Sequence, residues 1–152
     1  MTRRVKMRTL VCLVFISILL LSCQKEKSVL TSQGGDIYFS TDKETYSPSD
    51  TLLLTLTNNS ENDIEIALRC GLYLEMFYQQ KLDGSWSENL WFPFMSLRCP
   101  TLTDTVQAMS LYTYPFPADM FDSTGVYRLL LDIYIPSTQR IETLISNDFK
   151  IQ

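Results

Sequence analysis

Histidine is absent from the 152-residue sequence. That removes the side chain most used for proton transfer near neutral pH and a principal nitrogen ligand of zinc. The four cysteines are too few to build a zinc site alone once one is committed elsewhere. Catalysis would then require paired carboxylates, a serine–lysine arrangement or a bound metal, and no such constellation stands out. Asp42, Glu44 and Asp50 flank one turn but lack the dense alternation of oxygen ligands that marks a calcium loop. They read as solvated turn residues, and Asp119 and Asp122 read as turn and cap residues. The expectation is a protein that is not an enzyme and holds no cofactor and no metal.

Positive charge is scarce beyond the first eight positions. Arg3, Arg4, Lys6 and Arg8 precede the first apolar run, and removing them leaves 9 basic side chains against 17 acidic ones, a net charge near −8. Such a surface argues against nucleic acid as a partner, because binding to phosphates needs lysine and arginine to release counterions. It also repels anionic headgroups, so any membrane association must come from another source.

No apolar run is long enough to span a bilayer comfortably. Residues 10–21 form a twelve-residue stretch, which as a helix reaches about 18 Å against a hydrocarbon core of about 30 Å. A basic segment, a short apolar segment and then Leu20-Leu21-Ser22-Cys23 follow the order of a cleaved secretory signal. This quartet resembles the lipobox of bacterial lipoproteins, in which a small residue precedes the cysteine that receives lipid. The resemblance implies a signal peptide over 1–22, acylation of Cys23, and anchoring in a bacterial cell envelope, the outer membrane ahead of the inner. More than one acyl chain on a residue gives stable attachment where a single chain is marginal.

Residues 23–35 are polar and end in Gly34-Gly35, the composition of a flexible tether. Gln24-Lys25-Glu26 within it also looks like the export signals of some surface lipoproteins. With Cys12 removed in the signal and Cys23 lipidated, Cys70 and Cys99 remain as a pair whose expected fate in an oxidising compartment is a disulfide; two buried thiols are the alternative.

From position 36 the apolar period becomes two, and no stretch sustains helical periodicity. Leu52, Leu54 and Leu56 alternate with Leu53, Thr55 and Thr57, and Ile64, Ile66, Leu68 and Cys70 alternate with Glu65, Ala67 and Arg69. Further strands are expected over 36–40, 72–80, 105–113, 127–135 and 141–151, with turns at 47–50, 58–62, 82–85, 115–117 and 136–137. About one turn of helix is expected over 116–122. Some seven strands at hairpin spacing predict an all-β sandwich over 36–152 as one domain.

Asp122-Ser123-Thr124-Gly125-Val126-Tyr127 resembles the corner before the sixth strand of immunoglobulin-type sandwiches. The resemblance implies that Asp122 caps a turn, that Gly125 takes a backbone angle other residues resist, and that the Tyr127 hydroxyl bonds back to the main chain. Tyr46-Ser47-Pro48-Ser49-Asp50, Leu56-Thr57-Asn58-Asn59-Ser60, Leu82-Asp83-Gly84-Ser85-Trp86 and Gly125-Val126-Tyr127-Arg128 are similar, in order and spacing, to bacterial immunoglobulin-like domains of secreted proteins. That similarity implies a fold and an extracytoplasmic setting, and transfers no activity.

Trp86, Trp91, Phe92, Phe94 and Met95 crowd into the non-periodic segment 86–99. They are either a recognition patch for an envelope protein or a plug for one open end of the sandwich. The functional expectation is a lipid-anchored binding or structural module of the envelope. A protease inhibitor of immunoglobulin-like fold is the alternative, motivated by the Asn-Asn-Ser and Asp-Gly-x-Trp pieces.

Overall fold

The computed structural model describes residues 29–30 and 35–152; the expected signal, Cys23 and most of the expected tether lie outside the described residues. In chain order the strands are β1 (Val29–Leu30), β2 (Ile37–Thr41), β3 (Thr45–Tyr46), β4 (Thr51–Asn58), β5 (Ile64–Arg69), β6 (Tyr73–Leu74) and β7 (Met76–Leu82). There follow β8 (Ser85–Trp86), β9 (Leu90–Trp91), β10 (Thr101–Val106), β11 (Ser110–Pro117), β12 (Gly125–Ile135), β13 (Arg140–Ile145) and β14 (Phe149–Ile151). Two 3-10 turns, Pro93–Ser96 and Ala118–Met120, are the only helical elements among the described residues. No helix there is long and apolar enough to cross a membrane.

The protein is all-β, with two sheets packed as a sandwich. β4 is the centre of the smaller sheet, antiparallel to β2 on one side and β11 on the other. The larger sheet is organised on β12, which pairs with β13 and β14 along one edge and with β7 and β5 along the other. Period-two alternation explains the packing, since alternate residues of a strand face one side. Leu52, Leu54 and Leu56 of β4 and Tyr127, Leu129, Leu131 and Ile133 of β12 are all buried between the layers. Each such side chain contributes on the order of 2 kcal/mol of apolar burial.

Polar groups fasten the crossings between sheets. The chain leaves β2 at Asp42 and joins the larger sheet through β3, which runs parallel to β14. At that crossing Asp42 accepts from the Leu53 N–H and from the Tyr46 hydroxyl through one carboxylate oxygen, both at 2.8 Å. Asn58, fully buried at the end of β4, donates to the carbonyls of Asn62, Val106 and Gln107 and accepts from Ser60. The Asn58-Asn59-Ser60 piece therefore ties the β4–β5 turn to the β10–β11 turn.

Several boundaries differ from the periodicity reading. Val29 and Leu30, inside the expected tether, pair parallel to Thr143 and Leu144 of β13. The strand expected over 72–80 is broken at Glu75, because β6 pairs with β5 whereas β7 pairs with β12. The strand expected over 105–113 is two strands, separated by a turn in which Met109 has φ of 56°. Pro115 and Pro117, expected to mark a turn, lie inside β11. Ala118 N–H reaches the carbonyl of Asp50, so the odd-numbered residues of β11 point their nitrogens off the sheet, where proline loses no ladder bond. The closing segment 141–151 divides into β13 and β14.

The corner before β12 also departs in part. Tyr127 O–H donates to the Ser123 carbonyl at 2.7 Å, but Asp122 makes no hydrogen bond within the described residues, and the local polar contacts fall to Ser123 instead. Gly125 has no positive φ. Its role is space: a Cβ there would lie 2.7 Å from the Gln80 amide nitrogen, which bonds Ser123 Oγ.

Candidate functional site

The aromatic segment 86–99 divides by the pleat. β8 returns antiparallel to β7 through Asp83 and Gly84, whose φ values of 50° and 84° make the two-residue turn. β9 then runs beside β7, with Trp91 opposite Phe77 and their rings 4.4 Å apart. Trp91 stays 60% exposed on the outer face of the larger sheet. Trp86 lies near the Arg128 guanidinium, 4.2 Å from its ring centre, and the Lys81 ammonium, 5.4 Å away. Arg128 is held in turn by the Gln79 side chain.

Phe92 and Phe94 point the other way and are buried, apart from the tryptophans. Phe92 sits among Tyr78, Phe116, Phe121 and Phe94, at ring distances of 4.6 to 5.5 Å. These two rings plug the end of the sandwich, Met95 packs against them half-buried, and the tryptophans remain outside.

Above the plug lies a cleft of about 370 Å³ between the sheets. Phe94 and Phe116 form its floor; Tyr73, Pro93, Tyr114 and Pro117 form its walls, with Leu97 and Met120 completing the lining. Tyr73 stacks on Phe94 at 5.0 Å. Tyr114 donates across to the Leu72 carbonyl at 3.1 Å, and burial raises its hydroxyl pKa. No carboxylate, amine or thiol contributes to the lining. The cleft can hold an apolar or aromatic group, and it offers no acid or base that works near neutrality.

The lips of this cleft are tied together. Cys70 and Cys99 form a disulfide with Cα atoms 5.1 Å apart, joining the β5–β6 turn to the segment ahead of β10. The Arg69 guanidinium reinforces that link, donating to the Leu97 carbonyl at 2.5 Å and to Thr101 Oγ1 at 3.1 Å. Around the lips Leu72, Leu97 and Leu102 are exposed at 67%, 41% and 53%. An apolar rim of this kind marks an interaction site more often than chance surface does.

Tyr73, Leu97, Tyr114, Phe116 and Met120 were not singled out by sequence. Tyr112, Tyr114 and Phe116 do alternate through the prolines, which was the available signal. Asp42 and Asp50, weighed for calcium, instead serve main-chain donors: Asp42 that of Leu53 and Asp50 that of Ser47. No group of three or more potential metal ligands occurs among the described residues.

No family model matches the chain, and no curated protein matches it. Among solved structures it is similar to the crystal structure of Spo0M, a sporulation control protein from Bacillus subtilis, with 13% identity and a TM-score of 0.37. The match covers 78% of this chain and spans half the length of that one.

Proposed function

We propose that the chain is a lipid-anchored protein of the bacterial cell envelope, whose immunoglobulin-like domain binds a partner protein rather than catalysing a reaction. The observation that carries the reading is the cleft at the disulfide end. It is preformed and bordered by exposed leucines, and its lining has only tyrosine hydroxyls as titratable groups. Sites of that composition gain affinity by burying an apolar or aromatic anchor of a partner.

The immunoglobulin-like assignment is supported by topology. A three-stranded antiparallel sheet faces one centred on β12, and the first edge of the chain switches sheets to run parallel with β14. The Tyr127 hydroxyl bond to a carbonyl four residues upstream supports it as well, being the bond such a corner makes. The disulfide lies within one sheet, unlike the inter-sheet bridge of antibody domains. Anchoring is supported by the Leu20-Leu21-Ser22-Cys23 quartet and its flanks.

The test has two arms in cells producing the full chain. Metabolic labelling with a palmitate analogue is expected to mark the protein and to miss Cys23→Ala; an unlabelled wild type would remove the anchor. Photocrosslinking from the lip of the cleft is expected to trap a discrete partner that is lost in Leu97→Asp and kept in Ile141→Asp. Ile141 is an exposed residue of β13 and serves as the control. Equal crosslinking in both variants would remove the cleft from the proposal.

A further inference from the structure

The larger sheet ends at β10 in an edge with which no further strand among the described residues pairs. β10 pairs only with β5, and five of its six residues are exposed. In an antiparallel pair, alternate residues bond to the neighbour and the others turn their N–H and C=O away. The Cys70 N–H bonds the Pro100 carbonyl at 3.0 Å, which sets the phase: Leu102, Asp104 and Val106 bond to β5, while Thr101, Thr103 and Thr105 point outward. Thr105 agrees, since its N–H donates to the neighbouring Asp104 carboxylate at 2.9 Å.

Edges of this kind are normally blunted by proline, lysine or a bulge. β11, the nearest edge of the other sheet, is blunted in that way, because Pro115 and Pro117 remove two of its outward donors. β10 has no proline and no lysine. Its one guard is Asp104, on the side of the strand facing Tyr112, whose hydroxyl pKa is raised by burial and further by that carboxylate. A strand laid against β10 would enclose this charge, which is unfavourable unless a cation arrives with it.

We infer that β10 accepts an added strand from a partner protein, an extended segment with lysine or arginine beside Asp104 and an apolar side chain beside Leu102. Main-chain bonds to Thr101 and Thr103 supply the pairing, and the cation supplies the selection. A second copy of the chain does not fit, because β10 contains no basic residue and would bring another carboxylate to the same strip. This inference rests on the reading of the chain as a protein-binding module; it shares Leu102 with the rim of the cleft but uses the strand edge and none of the residues that line the cleft.

The probe is a fluorescent nonapeptide of alternating valine and threonine with lysine at its centre, compared with the same peptide carrying glutamate there. With the full chain in detergent, anisotropy is expected to show the lysine peptide binding at least tenfold more tightly. Thr103→Pro removes an outward donor without touching a bond to β5 and is expected to weaken binding tenfold or more. Thr103→Val should leave binding unchanged, Asp104→Asn should abolish the preference for lysine, and Leu97→Asp should alter neither. Amide exchange on the wild type gives a reading independent of any variant: the Thr101 and Thr103 amides are expected to slow on adding the lysine peptide. Failure to bind, equal binding of both peptides, undiminished binding by a folded Thr103→Pro variant, or Thr103 protected by self-association would each overturn the inference.

Discussion

The Tyr127 hydroxyl donates to the main-chain carbonyl of Ser123, and Ser123 Oγ lies 2.9 Å from the same hydroxyl. Since the tyrosine proton is committed to the carbonyl, the serine is the donor in the second bond. Tyr127→Phe keeps the buried ring and deletes both bonds, leaving one carbonyl without its partner. A loss of about 1 kcal/mol is expected, read as a lower urea midpoint at unchanged slope. An unchanged midpoint would mean that the corner is not a stabilising device.

Neighbouring aromatics on one strand exit should behave oppositely. Phe92→Ala empties the middle of the plug and is expected to cost roughly 3 to 5 kcal/mol. Trp91→Ala, largely exposed on the other face, is expected to change stability by less than about 1 kcal/mol. Thermal melts of the two variants decide it, and equal losses would contradict the division of the segment by the pleat.

Replacing both Cys70 and Cys99 by alanine opens a loop closed across a separation of 29 residues. The chain-entropy argument gives a loss of roughly 3 to 4 kcal/mol. Denaturant midpoints with and without reductant should show the same loss in the wild type and none in the double variant. A reductant effect that persists without the cysteines would point elsewhere.

Acid sensitivity should trace in part to Asp42. Burial works to raise its carboxyl pKa, but the Leu53 N–H and the Tyr46 hydroxyl, both donating to it, bring it below the usual carboxylate range. With the folded value depressed, the unfolded chain takes up the proton first as pH falls. The stabilisation is thus complete above the ordinary carboxylate pKa and is lost as pH drops through the lower folded one. Asp42→Asn should differ from wild type most near neutrality and converge with it below about pH 4. The difference will be small at so exposed a site, and one that stays constant down to pH 2 would refute the assignment.

Where one face of a strand was apolar and the other was not, the fold was legible from sequence. Leu52, Leu54 and Leu56 and the run from Tyr127 to Ile133 announce both layers, and the Asp83-Gly84 turn announces its hairpin. Boundaries set by pairing partners were not legible: nothing in the residues around Glu75 tells that the neighbour changes from β5 to β12. Pro115 and Pro117 misled because proline is compatible with an outward-facing edge position, which local sequence does not reveal. The cleft was invisible for a related reason. Its walls come from β6, β11 and two short turns that only the closed sandwich brings together, whereas the tryptophans nearest in sequence point away.

The Cys70–Cys99 bridge joins neighbours within a single layer. A load pulling the ends of the domain apart would peel one layer from the other with no covalent crosslink opposing it, yet could not stretch the 29-residue span inside the bridge. At about 3.5 Å per extended residue, reduction would lengthen the fully drawn chain by about 100 Å. The bridge is a concealed reserve of slack, released only when the two sulfurs part.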